Sequence, residues 1–278
     1  MSNPIALAVA AHPDDIEFMM AGTLALLGQA GYKLHMVNLA SGCCGSMEEN
    51  RQTIAARRLS EAREAARVLG AKLHDPIGDD LEIFYSREMV AKMAAIIRIV
   101  RPTIMLVPSP EDYMEDHMSA SRLAVTGAFV RGMPNFLAAP GRNPTPQDVT
   151  IYHALPYGLR DGMRRIVQPG QYVNITSVLN EKRAALGCHL SQKEWLDRTQ
   201  GLNSYLDTME SMSAEVGRWS SLFDHAEGWR RHSHLGFCAE NADPLSAALG
   251  DKVTISIAYE RDLGNGMPEP PQDIQHFS

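Results

Sequence analysis

The sequence predicts an α/β fold in which a mostly parallel sheet lies between layers of helices. Two observations predict it. Short apolar runs, which are typical of buried strands, alternate with longer helical patterns through the first half of the 278 residues, and this alternation is typical of β-α-β units. Several of these runs also end at polar or Gly-rich loops, as strands of an open parallel sheet do where a ligand site is built.

The first 70 residues supply two strands and two helices. The run IALAVAA predicts a strand over 5–11, and DIEFMMAGTLALLGQAG predicts a helix over 15–31. KLHMVNLA predicts a second strand over 33–40, which leads into the Gly-rich loop SGCCGS at 41–46. The stretch 49–70 is rich in Ala, Arg and Glu and ends at a glycine, which favours a helix.

Strands and helices continue as far as residue 192. The middle elements are a helix over 89–102, a strand over 103–109, a proline-rich surface loop over 134–148, strands over 150–155 and 171–176, and a helix over 178–192. Beyond them, residues 193–235 are predicted to be mainly helical, 253–260 a late strand and 264–273 a loose tail. We therefore divide the chain into an α/β domain, 1–192, and a C-terminal extension, 193–278, that completes the pocket or an oligomer interface.

Composition argues against several classes of partner. The formal net charge of -7 leaves no basic surface of the kind that binds nucleic acid or an anionic membrane. The apolar run near the N-terminus is only about seven residues long, too short for a signal-peptide core or a membrane span. We expect a cytoplasmic protein that forms a homo-oligomer. Its cysteines, Cys43, Cys44, Cys188 and Cys238, fit neither a disulfide framework nor a Cys-x-x-Cys zinc pattern, so reduced thiols are expected.

Polar side chains follow the predicted strands at one edge of the sheet. The first strand leads into HPDD, which carries His12, Asp14 and Asp15. The strand over 103–109 leads into a loop that carries Asp112, Glu115, Asp116 and His117. The Gly-rich loop follows the second strand. Because the carboxyl ends of parallel strands meet at one edge, we expect these three loops to converge.

Two imidazoles and one carboxylate with an open fourth position form a common catalytic zinc set. Zinc lowers the pKa of water bound to it, and a carboxylate beside the ion can act as general base. HPDD offers one aspartate for each task. An alternative is that Asp14 or Asp15 simply favours the N-terminal dipole of the following helix, which leaves the histidine and the second carboxylate unexplained.

An ordered set of five motifs resembles the LmbE/PIG-L family of zinc-dependent deacetylases. The motifs are AHPDD, the Gly-rich loop, R-x-x-E-A at 58–62 followed by VLG, the later Asp-His pair, and K-x-x-A-L-x-x-H-x-S-Q at 182–192. The resemblance covers residues 5–192 and implies a Rossmann-like three-layer fold and removal of acetyl groups from N-acetylated amino sugars, such as N-acetylglucosamine derivatives, or their conjugates. It implies His12, Asp15 and His117 as zinc ligands, Asp14 as general base, and Asp116 as a carboxylate that orients an imidazole.

One position departs from the family. Many relatives carry a histidine that stabilises the oxyanion three residues before the last ligand, where this chain has Met114. Tyr113 and His189 are the candidate replacements, since a preorganised donor contributes several kcal/mol to acyl transfer.

The helix over 49–70 and the Gly-rich loop supply candidate substrate-binding residues, Arg58, Ser41 and Gly42. On sequence alone, an exposed helical pair between Arg58 and Glu61 is favoured over an arginine turned toward the pocket. The neighbouring cysteines of the loop have no assignable base, and we interpret them as small packing residues.

The segment HAEGWRRHSHLGF (225–237) concentrates three histidines and two arginines. A second metal site there is conceivable, but the spacing of the histidines is a weak pattern. A packed helix or loop at the pocket or a subunit interface is favoured, with Arg230 and Arg231 available to an anionic substrate group.

These observations lead to a zinc-dependent deacetylase of an N-acetylated amino sugar or sugar conjugate. Two alternatives stay open. One is a zinc-dependent hydratase or lyase that acts on an unsaturated carboxylic acid, and the other is a non-catalytic metal-binding module. A dinucleotide-binding enzyme is disfavoured because HPDD stands where a Gly-x-Gly-x-x-Gly turn would be required.

Overall fold

A single mixed sheet runs through the computed structural model, which describes residues 3–193 and 204–265. Its strands are β1 Ile5–Ala10, β2 Lys33–Asn38, β3 Lys72–His74, β4 Ile104–Val107, β5 Thr150–Ala154, β6 Gln171–Asn174, β7 Ala226–Arg231 and β8 Val253–Ile255, in the order β3-β2-β1-β4-β5-β7-β6-β8. The first five strands in this order are parallel to one another. The pairs β5-β7, β7-β6 and β6-β8 are antiparallel. The predicted α/β class is confirmed.

Helices cover both faces of the sheet. They are α1 Asp15–Met19, α2 Ala21–Gln29, α3 Arg51–Val68, α4 Arg87–Val100, α5 Glu115–Phe129, α6 Leu179–Leu186, α7 Ser204–Ser220, α8 Pro244–Leu249 and α9 Ile257–Asn265. No helix in the described part of the chain is both long and apolar enough to cross a membrane.

The central strand β1 is buried on both faces. Ala6, Ala8 and Ala10 contribute to one hydrophobic core, and Leu7 and Val9 contribute to the other. Alternate side chains of a strand point to opposite faces, and a parallel sheet covered by helices buries both. This is why the strand is a continuous apolar run rather than an alternating one.

The predicted helix over 15–31 is divided in two. At Met20 the backbone leaves helical geometry, with φ -133°, and α2 begins at the next residue. The amides of Gly22 and Thr23 in the first turn of α2 donate to the Glu227 carboxylate, at 2.9 and 2.8 Å. A carboxylate satisfies the free N–H groups of a helix N-terminus. The stabilising group comes from β7, so the local sequence carries no sign of the break.

The C-terminal part differs most from expectation. Residues 226–231 form β7, between β5 and β6, and the interpretation of 225–237 as a helix or loop is wrong at this strand. Helix α7 confirms the helical prediction over 204–220, and the predicted strand over 253–260 ends at Ile255 before α9. The predicted tail lies mostly outside the described residues. Strand β3 and helix α5 were not predicted.

Candidate active site

A cavity of about 300 Å³ opens at the carboxyl ends of β1, β2, β4 and β5. The expected convergence of the three loops is found, because the HPDD, Gly-rich and 109–117 loops all contribute side chains to its wall. A ligand site at this edge is the usual arrangement in an open parallel sheet.

Three of the lining residues form a compact group. One ligand-capable atom each from His12, Asp15 and His117 lies within 4.8 Å of the others. The Asp15 carboxylate stands between the rings, with Oδ2 3.5 Å from His12 Nδ1 and Oδ1 3.4 Å from His117 Nε2. This set of two imidazoles and a carboxylate is one that binds zinc with positions left open.

Each imidazole is held from behind by a further carboxylate. Asp116 Oδ2 lies 3.1 Å from His12 Nε2, and Asp112 Oδ1 lies 3.0 Å from His117 Nδ1. A proton on each of these outer nitrogens leaves the lone pair of the other nitrogen facing Asp15. Carboxylates that fix the tautomer in this way are the usual outer partners of metal-binding histidines. The donor set therefore fits a divalent cation.

The electrostatics of the group also favour a cation. Burial opposes charge on both rings, yet hydrogen bonds to Asp116 and Asp15 raise the pKa of His12 to about 9. The Asp15 and Asp112 carboxylates raise the pKa of His117 to about 11, again against burial. Burial alone would raise the pKa of Asp15, but the two imidazoles hold it well below its usual range. The site thus concentrates negative charge that a bound cation can neutralise.

Asp14 lies beside this group but is held by other residues. Its Oδ2 accepts a 2.8 Å hydrogen bond from the hydroxyl of Tyr205 on α7, and its Oδ1 lies 3.4 Å from Arg58 Nη2. Its φ is 114°, a conformation that costs a non-glycine residue on the order of 1–3 kcal/mol. The side chain makes no capping bond to α1, so the interpretation of Asp14 as a helix cap is not supported. Burial raises the pKa of Asp14, against the influence of Arg58.

Arg58 is buried against the HPDD loop. Its Nη2 donates to the carbonyl of Pro13 at 2.6 Å and its Nη1 to that of Gly42 at 3.4 Å. Glu61 instead accepts hydrogen bonds from the amide and hydroxyl of Ser191. The sequence-favoured exposed pair between Arg58 and Glu61 is therefore wrong, and the arginine is turned toward the pocket.

The other two predicted substrate-binding residues shape the loop. Gly42 has a φ of +77°, and a Cβ there would lie 2.7 Å from Arg58 Cδ, so only glycine allows this close approach. The hydroxyl of Ser41 donates to Asp79 Oδ1 at 2.5 Å. Neither residue lines the main cavity, whereas Cys44 and Gly45 from the same loop do.

The two candidate oxyanion donors occupy different places. Tyr113 lines the cavity, with its ring edge-on to His117 at 5.6 Å. His189 is fully buried and does not line it, and its Nε2 lies 3.4 Å from Glu17 Oε2. The Glu17 carboxylate raises the pKa of His189 although burial opposes this. Met114, which replaces the family's histidine, lines the cavity.

Asp112 belongs to the predicted site loop but had no predicted role, and Tyr205 was not predicted to lie at the site. Asp112 stands five residues before His117, a spacing from which its contact could have been suspected. No motif near Tyr205 indicates that it contacts the site, because its partner Asp14 lies 191 residues away in the sequence. Aromatic side chains from separate elements complete this wall: Phe18 lies 5.2 Å from the Tyr157 ring and 5.8 Å from that of Tyr205.

The segment 225–237 reaches the site through one side chain. Arg230 Nη2 donates to Ser109 Oγ at 2.8 Å, and Ser109 lines the cavity. Arg231 turns away and donates to the carbonyl of Ala242. Among the described residues, the groups that could hold a metal include no histidine of this segment.

Comparison with known proteins gives a consistent result. Residues 7–128 match the family model described as GlcNAc-PI de-N-acetylase. The chain is 30% identical over 196 residues to diacetylchitobiose deacetylase of Thermococcus kodakarensis, covering 67% of this chain and 69% of that protein. It is 27% identical to 4-oxalmesaconate hydratase of Pseudomonas putida, covering 68% and 74%. The solved structure of N,N'-diacetylchitobiose deacetylase from Pyrococcus horikoshii superposes with a TM-score of 0.70 at 25% identity, covering 86% and 88%.

Proposed function

The chain belongs to the PIG-L (LmbE-like) family, and from this premise we propose that it is a zinc-dependent hydrolase that removes an acetyl group from an N-acetylated amino sugar or sugar conjugate. The observation that carries the proposal is the position of Asp14. It shares a pocket with the His12, Asp15 and His117 group, yet its own oxygens are held by Tyr205 and Arg58. A carboxylate that lies beside a metal-binding group without being one of its ligands is suited to act as general base.

His12, Asp15 and His117 are the residues that would hold the zinc ion. When bound, zinc makes water a nucleophile near neutral pH and polarises a carbonyl oxygen. Asp112 and Asp116 would hold both imidazoles in the tautomers that this binding needs, once each ring has lost one proton to make room for the ion.

The base works through one carboxylate oxygen. Asp14 Oδ2 accepts the Tyr205 hydroxyl. Oδ1 has only a long 3.4 Å contact with Arg58 Nη2, and a carboxylate oxygen has a second lone pair, so Oδ1 can take a proton from the attacking water. The same oxygen can then deliver that proton to the nitrogen of the leaving amine. Burial raises the pKa of Asp14, which assists the second transfer because a protonated carboxyl must persist until the amine departs.

Tyr113 is the proposed donor to the oxyanion of the tetrahedral intermediate. Its hydroxyl stays protonated, since partial desolvation at the cavity wall and the nearby carboxylates raise its pKa. It lines the cavity next to His117. The buried side chain of His189, directed to Glu17, is better suited to support the loop behind Asp14 than to touch substrate.

The charge of the pocket is compatible with deacetylation. Its described lining carries four carboxylates, from Asp14, Asp15, Asp80 and Asp112, and a single guanidinium, that of Arg58. A neutral amide enters such a pocket at little electrostatic cost, and the cationic amine product is stabilised there.

The apolar part of the wall suits a sugar ring. Phe18, Tyr113, Tyr157 and Tyr205 present aromatic surface to the cavity, and binding pockets of small molecules commonly combine such surface with a few polar groups. Tyr205 belongs to the segment 193–278, which supports the expectation that this segment completes the pocket. Cytoplasmic location and homo-oligomer formation stay predictions, and light scattering after gel filtration tests the second.

Acetate release tests the proposed function. Zinc-loaded protein is incubated with N-acetylglucosamine, diacetylchitobiose and N-acetylglucosamine conjugates, beside an Asp14→Asn variant with the same zinc content. We expect release by the wild type and its collapse in the variant. If stoichiometrically loaded protein releases no acetate but adds water to unsaturated carboxylic acids, the hydratase alternative is correct.

A further inference from the structure

We propose that Cys43, Cys44 and Asp80 form a second cation site, separate from the His12, Asp15 and His117 group and selective for thiophilic divalent ions such as Zn²⁺ or Cd²⁺. The site does not depend on the proposed hydrolysis. We call these three residues the thiol site.

The geometry of the thiol site fits a single ion. The two sulfur atoms lie 4.0 Å apart, and a carboxylate oxygen of Asp80 lies within 4.8 Å of both. Two thiolates bound to one tetrahedral zinc ion, each at about 2.3 Å, are separated by about 3.8 Å. A disulfide would require the sulfurs to approach to about 2.05 Å. The observed separation is close to that of shared coordination and far from that of a bond.

Asp80 builds the loop that presents the thiols. Its Oδ1 accepts the amide N–H of Gly42 at 2.6 Å, and its Oδ2 accepts that of Cys44 at 2.8 Å. In an extended chain consecutive side chains point to opposite sides, whereas here two consecutive thiols meet. Each carboxylate oxygen retains a second lone pair, so Asp80 can hold the loop and still face a cation.

The local charge distribution favours the same occupant. Partial desolvation, the neighbouring thiol and the Asp80 carboxylate all raise the pKa of the exposed Cys44. A coordinated cation reverses this effect, because a thiol that binds a metal ion is deprotonated by it. Soft sulfur ligands select ions such as zinc over magnesium or calcium. A thiophilic ion therefore has three convergent ligands here, with Asp80 and Cys43 already buried.

The site borders the substrate cavity. Cys44 and Asp80 both line it, whereas the buried Cys43 does not. An ion held by the thiols would form part of the cavity wall, and its further ligand positions would face solvent or substrate.

Cadmium titration of reduced full-length protein that carries one equivalent of zinc, enough for the His12, Asp15 and His117 group, tests the proposal. A Cd²⁺ ion bound to thiolate gives an ultraviolet charge-transfer band, whereas one bound to imidazole and carboxylate does not. We expect the band to saturate at one equivalent per chain. Cys44→Ser, at an exposed position that tolerates the change, should abolish it, and Asp80→Asn should weaken binding at least tenfold.

Matched controls separate this site from other ligands. Cys188→Ser and Cys238→Ser should retain the full band, and so should His12→Gln, in which the first site is impaired. Circular dichroism establishes that each variant is folded. A band that survives in Cys44→Ser, or no band in the fully reduced wild type, would overturn the proposal.

Discussion

The hydroxyl of Tyr205 donates a 2.8 Å hydrogen bond to Oδ2 of Asp14, across 191 residues of sequence. The proposed general base is thus held by a helix that lies beyond the HPDD, Gly-rich and 109–117 loops. Arg58 approaches the other oxygen of the same carboxylate. Asp14 is oriented from two sides, and its rotamer does not depend on the HPDD loop alone.

Removal of this hydroxyl should slow the reaction. A hydrogen bond to a charged group contributes about 1.5–3 kcal/mol, so Tyr205→Phe should lower kcat by about 10- to 100-fold. KM and zinc content should change little, because the ring and the metal group remain. Steady-state kinetics on the best substrate measure the effect. Tyr85→Phe, which removes an exposed hydroxyl paired with Thr126, is the control, and an equal loss in both variants would contradict a specific role for Tyr205.

The outer carboxylates should control metal affinity. Replacement of such partners typically weakens metal binding 10- to 100-fold. Asp112→Asn and Asp116→Asn should each show a loss of about this size, measured by competition with a zinc chelator. Asp75→Asn, at an exposed position directly after β3 where the carboxylate pairs with Arg63, should bind zinc like the wild type. Unchanged affinity in both test variants would show that the tautomers are fixed by other contacts.

Glu227 should be important for stability. It pairs with Lys182 at 2.6 Å, both side chains are almost fully buried, and it also caps α2. Breaking a buried pair leaves an uncompensated charge and costs about 3–5 kcal/mol. Glu227→Gln should therefore lower the free energy of unfolding by about that amount in urea denaturation. By contrast, Glu64→Gln at the exposed pair with Arg67 should leave the free energy of unfolding almost unchanged, because exposed ion pairs contribute little. Comparable losses in the two variants would contradict the interpretation.

His153 should make stability dependent on pH. Burial lowers its pKa to about 4, opposed by the Pro108 carbonyl and reinforced by His232 and Arg230. The folded protein binds the proton less tightly than the unfolded chain, whose histidine pKa is about 6.5. The neutral His153 ring therefore does not lower the free energy of unfolding above about pH 6.5. As pH falls from 6.5 toward 4, the unfolded chain takes up this proton first, and the free energy of unfolding decreases.

At pH 5 the loss from His153 should be on the order of 2 kcal/mol. Urea denaturation at pH 7 and pH 5 measures it as the difference between wild type and His153→Gln, whose stability should fall less between the two pH values. An equal loss of stability between pH 7 and pH 5 in both proteins would mean that the pKa of His153 is not lowered in the folded protein.

Sequence patterns were sufficient to predict those parts of the fold and site that depend on neighbouring residues in the chain. HPDD after β1 and the Asp-His pair at the start of α5 could be assigned to one edge of the sheet, since strand order and chain direction determine where those loops meet. Arg58 could not be placed, because a short spacing to Glu61 suggested a local pair, whereas burial against Pro13 and Gly42 decided its direction. Helical spacing predicts only neighbours on one helix surface.

Contacts distant in sequence explain most of the errors. The break at Met20 depends on Glu227, and the orientation of Asp14 depends on Tyr205. In neither case does the sequence around Met20 or Asp14 indicate the distant partner. Strand β7 was missed because its six residues include a glutamate, a glycine and two arginines. Its burial between β5 and β6 outweighs weak strand propensity.

The sheet order sets a sequence of events for the nascent chain. Strand β6 pairs with β7 and β8, both of which are synthesised after it. Until residue 231 has emerged from the ribosome, β6 lacks both neighbours and β5 remains an open sheet edge. Such edges can pair with other chains. The parallel half of the molecule can assemble early, but its last partner strand arrives late, so the interval between residues 174 and 231 is when the growing chain most needs protection from aggregation.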